Sequence, residues 1–111
     1  DGKRCDELTE LRRAELDDLF DNPEVHLSDV RIDPVRPGEP DGGLLFVTLR
    51  EGSLLWRWGF RQADELLKLN ETSLSQPEDV FEAIFGLRQA TSVRAEIRRD
   101  SKPRVLCFKV I

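Results

Sequence analysis

Residues 44–74, LLFVTLREGSLLWRWGFRQADELLKLNETSL, constrain the fold more than any other stretch of this chain. Residues 44–49 are apolar on both faces, the pattern of a central strand covered on two sides. Glu51-Gly52-Ser53 turns the chain, residues 54–58 predict about one helical turn, and Gly59 ends it. Leu66, Leu67 and Leu69 mark a second strand, and Asn70-Glu71 turns away from it. No nucleophile, base or metal-ligand set falls within this stretch. It reads as the frame of a binding module.

The flanking sequence supplies the other elements. Residues 1–10 are polar and read as a flexible tail. Leu16, Leu19 and Phe20 have helical spacing, so residues 11–21 predict a short amphipathic helix. Asn22-Pro23 ends it, because Pro disfavours helix at the preceding residue. Residues 24–28 read as a further helical turn or a loop. In residues 30–35, VRIDPV, Val30 and Ile32 alternate with Arg31 and Asp33, as in a half-buried strand. Pro34 has no N–H, so this strand belongs at a sheet edge. RPGEPDGG, residues 36–43, is a loop by composition.

Downstream, Ser75-Gln76-Pro77-Glu78 starts a helix, with Ser75 or Gln76 at the cap and Pro77 near its first position. Val80, Ile84 and Leu87 form one apolar stripe and Phe81 and Phe85 an adjacent one, an arc wider than one sheet face covers. Val93, Ala95 and Ile97 alternate with charged residues over 92–99. Asp100-Ser101-Lys102-Pro103 reads as a hairpin turn. The last strand, 104–111, points Leu106, Phe108 and Val110 inward. The expected architecture is one α+β domain over residues 11–111, a small, mainly antiparallel sheet or open barrel capped by helices, with a lead-in helix within 11–28.

Composition narrows the function. The chain has 111 residues, 39% hydrophobic and 35% charged, which is globular rather than disordered. Acidic residues outnumber basic ones, 22 to 17, for a net charge of −5, which argues against a general nucleic-acid binder. The basic C-terminal third (Arg88, Arg94, Arg98, Arg99, Lys102, Arg104) has no interleaved aromatics and reads as solvated outward faces. His26 is the only histidine, and no spacing to a serine or cysteine supports a triad. It reads as a surface or loop residue. No acidic cluster has calcium-loop spacing and the glycines form no phosphate cradle. A non-enzymatic chain without metal or cofactor is expected. Cys5 and Cys107 fit no metal spacing. They are either a disulfide joining the N-terminal segment to the last strand, in an oxidising compartment, or two free thiols. No apolar run approaches the roughly 20 residues that span a bilayer, and no signal peptide is present. The chain starts at Asp1, has no Met, and reads as a piece of a longer protein.

The order of these words resembles the bacterial, circularly permuted PDZ domain. Glu51-Gly52-Ser53, Gly59-Phe60, Ala63-Asp64 and Asn70-Glu71 stand where that family has Pro-Gly-Ser, Gly-Leu, Gly-Asp and Asn-Gly. Within PDZ domains the sequence is similar to the C component of the type II secretion system. SQPEDVFEAIFGLRQA and RRDSKP resemble that family's Ser-Pro-Glu helix and following hairpin. The lead-in is similar too: a helix ending in Asn22-Pro23, six residues, then a strand with Arg31 and Pro34. Two glycines of the pattern are replaced. Ala63 requires that its turn use negative φ or tolerate strain, and Glu71 disfavours a type I′ turn. Asp64 is expected to tie its turn to backbone N–H groups.

The resemblance implies a groove in which an extended peptide adds to the strand at 30–35 and lies along the helix at 77–88. Val30, Ile32, Val80 and Ile84 would line it, with Leu27 at its entrance. It also implies a periplasmic domain of an inner-membrane protein. Its partners would be secretin periplasmic domains, secreted cargo or peptide segments, and self-association stays open. The alternatives are a regulatory PDZ domain of a periplasmic serine protease and a structural spacer with a closed groove.

Overall fold

A computed structural model describes residues 5–39 and 42–111 and, for Pro77, Val80, Phe81, Ile84 and Phe85, the backbone alone. The chain runs β1 (Glu7–Leu11), α1 (Arg13–Asp21), α2 (Pro23–Leu27), β2 (Arg31–Pro34), β3 (Leu44–Thr48), α3 (Leu54–Arg57), β4 (Glu65–Leu69), β5 (Thr72–Ser73), α4 (Pro77–Leu87), β6 (Ser92–Arg99) and β7 (Lys102–Val110). Six strands form one open sheet in the order β1-β7-β6-β4-β3-β2, and β5 pairs with β4. All pairings are antiparallel except β1 with β7.

The long β6–β7 hairpin follows from alternation. Val93, Ala95 and Ile97 pair with Phe108, Leu106 and Arg104, so the apolar residues of both strands share one face and are buried. The hairpin loop is Asp100-Ser101, with φ of 53° and 66°. Positive φ at both loop residues is the type I′ geometry, which suits the right-handed twist of the strands. At Asn70-Glu71 only Asn70 is left-handed, with φ 53°, so Glu71 is spared the strain it would meet in a type I′ turn.

The turn at Ala63 takes the strained option. Its φ is 75°, in a region that Gly enters freely and Ala does not. The Ala63 N–H donates to Phe46 O at 2.8 Å and the Phe46 N–H donates to Asp64 O at 2.9 Å, which fixes the turn against β3. Asp64 is 1% exposed. Its carboxylate accepts the Arg61 N–H, as expected, and also both arms of the Arg99 guanidinium.

The N-terminal segment departs from expectation. Residues 1–4 lie outside the described residues, but 5–10 are not a flexible tail. β1 runs parallel to β7 from Glu7 opposite Leu106 to Leu11 opposite Val110. Cys5 and Cys107 form a disulfide, with Cα atoms 5.6 Å apart. The Asp6 N–H donates to Val105 O, and the Asp6 carboxylate accepts the Val105 N–H. The polar composition hid this strand because its inward acid, Glu7, is met by Arg104 at 3.0 Å and Arg99 at 3.6 Å. Leu11 therefore closes β1 instead of opening the helix, and α1 begins at Arg13. The reading of the basic C-terminal third is corrected in the same way for three of its residues, while Arg88 and Lys102 are exposed. Arg98, Arg99 and Arg104 are half-buried partners of Glu65, Asp64 and Glu7 rather than solvated outward charges.

The core lies on the inner face of the sheet under α1 and α4. Phe60 sits between Phe46 and Phe108, ring centroids 5.6 and 5.9 Å away. Leu16 and Leu19 of α1 are buried in it, and so are Ala83 and Leu87 of α4. Among the described residues no helix is long and apolar enough to cross a membrane.

Candidate functional site: the edge of β2 and the hollow beside it

β2 ends the sheet, so one side of its backbone is unpaired. Which groups it presents follows from its neighbours. Ile32 lies opposite Phe46, and Phe46 uses its N–H and C=O toward Asp64 and Ala63, away from β2. Ile32 and Phe46 are therefore a non-hydrogen-bonded pair, and the Ile32 N–H and C=O point to the free side. Pro34, two residues on, faces the same way, while the Val35 N–H donates inward to Gly43 O at 3.1 Å. The missing donor of Pro34 is thus lost from the free edge and not from the β2–β3 ladder. That edge offers one donor–acceptor pair at Ile32 and one further acceptor at Pro34.

Beside this edge an apolar hollow of about 320 Å³ opens into the domain. Leu27, Val30, Ile32 and Leu55, all half-buried, form its mouth, and Phe46, Phe60, Leu66 and Phe108 form its floor. Ligand pockets run from roughly 300 to 1,000 Å³, so this one has room for large side chains rather than for a bulky cofactor. Leu16 and Leu19 of α1 and Leu87 of α4 close its far walls. The structure thus brings Leu27, Val30 and Ile32 together. Val80 and Ile84 lie on α4, but their side chains fall outside those described. The sequence reading missed Leu55, Leu16 and Leu19. The helical stripe of Leu16 and Leu19 was visible, but nothing local tied it to the edge strand.

Three sets of contacts hold the walls. The Arg13 guanidinium donates to Arg88 O and Ala90 O, both at 2.8 Å, bolting α1 to the end of α4. Arg88 in turn lies over the Phe20 ring at 5.4 Å. At the start of α4 the Asp79 carboxylate accepts the N–H groups of Ser75 and Gln76 and the Ser75 hydroxyl. Those bonds, Ser75 N–H first, hold its carboxyl below the usual carboxylate range. At the α1–α2 junction His26 Nε2 lies 2.6 Å from Asp18 Oδ2, and Asn22 donates to Asp18 Oδ1. The His26 bond, then that of Asn22, lowers the Asp18 pKa. His26 thus orients α2. Among the described residues no group of three or more His, Cys, Asp and Glu could hold a metal.

No family model and no curated protein matches the chain in sequence. Solved structures do match in fold. The PDZ domain of EpsC from Vibrio cholerae, residues 204–305, aligns over 86% of this chain and 91% of its own, with 18% identity and a TM-score of 0.58. A shorter form of that domain, residues 219–305, covers 72% and 92% at 18% identity, with a TM-score of 0.51. The HtrA3 PDZ domain bound to a phage-derived ligand, FGRWV, covers 73% and 81% at 18% identity, with a TM-score of 0.55. An open sheet with a free β2 edge beside α4, matched over most of the chain by these domains, is the PDZ fold.

Proposed function

We propose that this chain is a non-catalytic PDZ domain of a type II secretion system C protein, and that it holds an extended segment of a partner protein between β2 and α4. The observation that carries the reading is the free backbone of Ile32 beside an apolar hollow whose mouth is Leu27, Val30 and Ile32. Main-chain pairing would supply affinity and the hollow would select a side chain. Val80 and Ile84 would complete the groove from α4. The unit would include β1, which pairs with β7 in the same sheet and is fastened there by the Cys5–Cys107 disulfide. That disulfide supports an oxidising compartment and hence a periplasmic location. The parent protein would be anchored in the inner membrane by a helix outside this sequence. Its PDZ domain would couple the inner-membrane platform to the secretin or recognise secreted cargo. The likeness to EpsC favours this assignment.

The test is a titration of the ¹⁵N-labelled chain with periplasmic secretin domains and with a peptide library. Saturable shifts at the Ile32 amide and around Leu27 are expected. Binding that leaves Ile32 unmoved would sink the groove. A second reading, a regulatory PDZ domain of a periplasmic protease, is favoured by the likeness to the peptide-bound HtrA3 domain. A Ser-His-Asp protease domain in the parent gene would decide for it.

A further inference from the structure

The sheet has a second free edge, and it is built differently from the first. β1 ends the sheet opposite β2, and among the described residues its only ladder partner is β7. The Leu11 C=O accepts the Ile111 N–H, and the Arg13 N–H donates to Ile111 O, so Leu11 turns its backbone toward β7. The β1–β7 register is unbroken from Glu7 to Leu11, so the alternate residues Leu8 and Glu10 turn theirs to the free side. Sheet edges are commonly blunted by a proline, a lysine or a bulge. β2 has Pro34 and a register shift between Arg31 and Ile32. β1, ELTEL, has none of these and carries instead Leu8, which is 71% exposed. Glu7, an inward charge that could also blunt the edge, is neutralised within the domain by Arg104 and Arg99.

Two copies that close edge to edge about a twofold axis run antiparallel, and their free-side residues pair with one another. The registers that engage both Leu8 and Glu10 centre on Leu8, Thr9 or Glu10. Centring on Leu8 sets Glu10 against Asp6 of the second copy, and centring on Glu10 sets the two Glu10 side chains face to face. Both oppose like charges, which destabilises a strand pair. Centring on Thr9 opposes none. It pairs Leu8 with Glu10 of the second copy in both directions and brings the two exposed Leu8 side chains together across the diagonal. Each Glu10 stays beside Lys109 of its own β7. Arg12, still extended at φ −77° and ψ 135°, then stands opposite Asp6 of the second copy.

We infer that β1 is a self-association surface, to which a second copy of this chain adds antiparallel through Leu8 and Glu10 with the two Thr9 residues on the twofold axis. The pair forms one continuous sheet with a β2 edge at each end, and it stands apart from what β2 binds. A five-residue strand buries less than the roughly 1,200 Å² of a stable complex, so the dimer is weak and concentration-dependent. Sedimentation and ¹H–¹⁵N spectra of the 111-residue chain, from micromolar to millimolar concentration, test it. A monomer–dimer equilibrium is expected, with saturable shifts at the Leu8 and Glu10 amides and none at Ile32. Leu8→Lys changes an exposed side chain, so it should keep the fold and weaken the dimer about tenfold or more. Thr9→Cys should cross-link two copies through the new thiols in a glutathione redox buffer, because facing residues of a non-hydrogen-bonded pair lie about 4.5 Å apart at Cα. Arg31→Cys, on β2, should not. A chain that stays monomeric at millimolar concentration overturns the inference. So does association that shifts Ile32 in place of Leu8, or that grows past the dimer as β1 pairing with β2 would.

Discussion

Arg99 donates from Nε and Nη2 to the two carboxylate oxygens of Asp64, each at 2.8 Å, and Nη2 also reaches Gly59 O. The pair links the end of β6 to the turn before β4. The bond to Asp64 raises the Arg99 pKa, which keeps its charge secure. With Asp64 only 1% exposed, removing Arg99 leaves the carboxylate nearly dry.

Arg99→Met is therefore expected to cost about 3 to 5 kcal/mol, because Asp64 would be left as an unpaired buried charge. Arg99→Lys should cost less but remain destabilising, since an ammonium cannot span both oxygens as the guanidinium fork does. Urea unfolding of the three proteins gives the ranking. Equal midpoints would mean that water replaces the guanidinium at no cost.

The Cys5–Cys107 disulfide joins the N-terminal strand to β7 across 102 residues. Reduction should lower stability by about 2 to 5 kcal/mol. The loss should be uneven, because β1 keeps its ladder, Glu7 and buried Leu11. Hydrogen exchange under reducing conditions is expected to speed up first over residues 5–10, with the β6–β7 amides protected until global unfolding. Unchanged exchange at β1 would show that the ladder alone suffices.

Ala63 holds φ at 75° in a turn whose backbone is fixed on both sides. The left-handed conformation costs a residue with a Cβ roughly 1 to 2 kcal/mol, part of which Gly gives back as greater freedom of the unfolded chain. Ala63→Gly should therefore stabilise by about 0.5 to 1 kcal/mol. Ala63→Val should destabilise, since a β-branched side chain tolerates this region least. Thermal unfolding distinguishes the two, and a loss of stability with Gly would place the strain elsewhere.

These residues also show what the sequence could reveal. The β6–β7 hairpin, α4 and the edge character of β2 are local patterns, written in alternation, a capping run and one proline. β1 is not local. Glu7 and Thr9 look like solvent-facing residues until Arg99 and Arg104, more than 90 positions away, arrive beside Glu7. The mouth of the hollow was legible because Leu27, Val30 and Ile32 cluster along the chain. Leu55 of α3 at that mouth and the walls of Leu16 and Leu19 were not, because they lie on other elements, and α1 takes its place only once it is bolted to the end of α4.

Asp79 makes stability depend on pH. Its carboxyl sits below the ordinary value of 3.8, so the folded protein resists protonation more than the unfolded chain does. Its contribution is complete above that ordinary value and is lost as pH falls through the lower, folded one. Asp79→Ala should cost about 1 kcal/mol near neutrality, as loss of a helix-start acceptor does. The gap between the proteins should shrink as the pH falls from about 5 to about 2. A gap that persists undiminished in acid would show that charge plays no part in the cap.

On the proposed groove, Pro34 would set how long a guest strand can be. It faces the free side of β2, where an N–H would be the next donor after Ile32. Pro34→Ala should supply it. One added backbone bond contributes about 0.5 to 1.5 kcal/mol, so affinity for a bound extended peptide should rise roughly threefold to tenfold. The folded domain should lose about 0.4 to 1 kcal/mol, because the unfolded chain gains freedom at that position. The two effects have opposite signs, and separate measurements read them: isothermal titration with a selected peptide, and urea unfolding without one. The variant should also associate with itself more readily at high concentration, since a prolonged free edge invites pairing with a second copy. If affinity stays flat while stability falls, peptides do not pair beyond Ile32, and the apolar hollow must supply nearly all the binding energy.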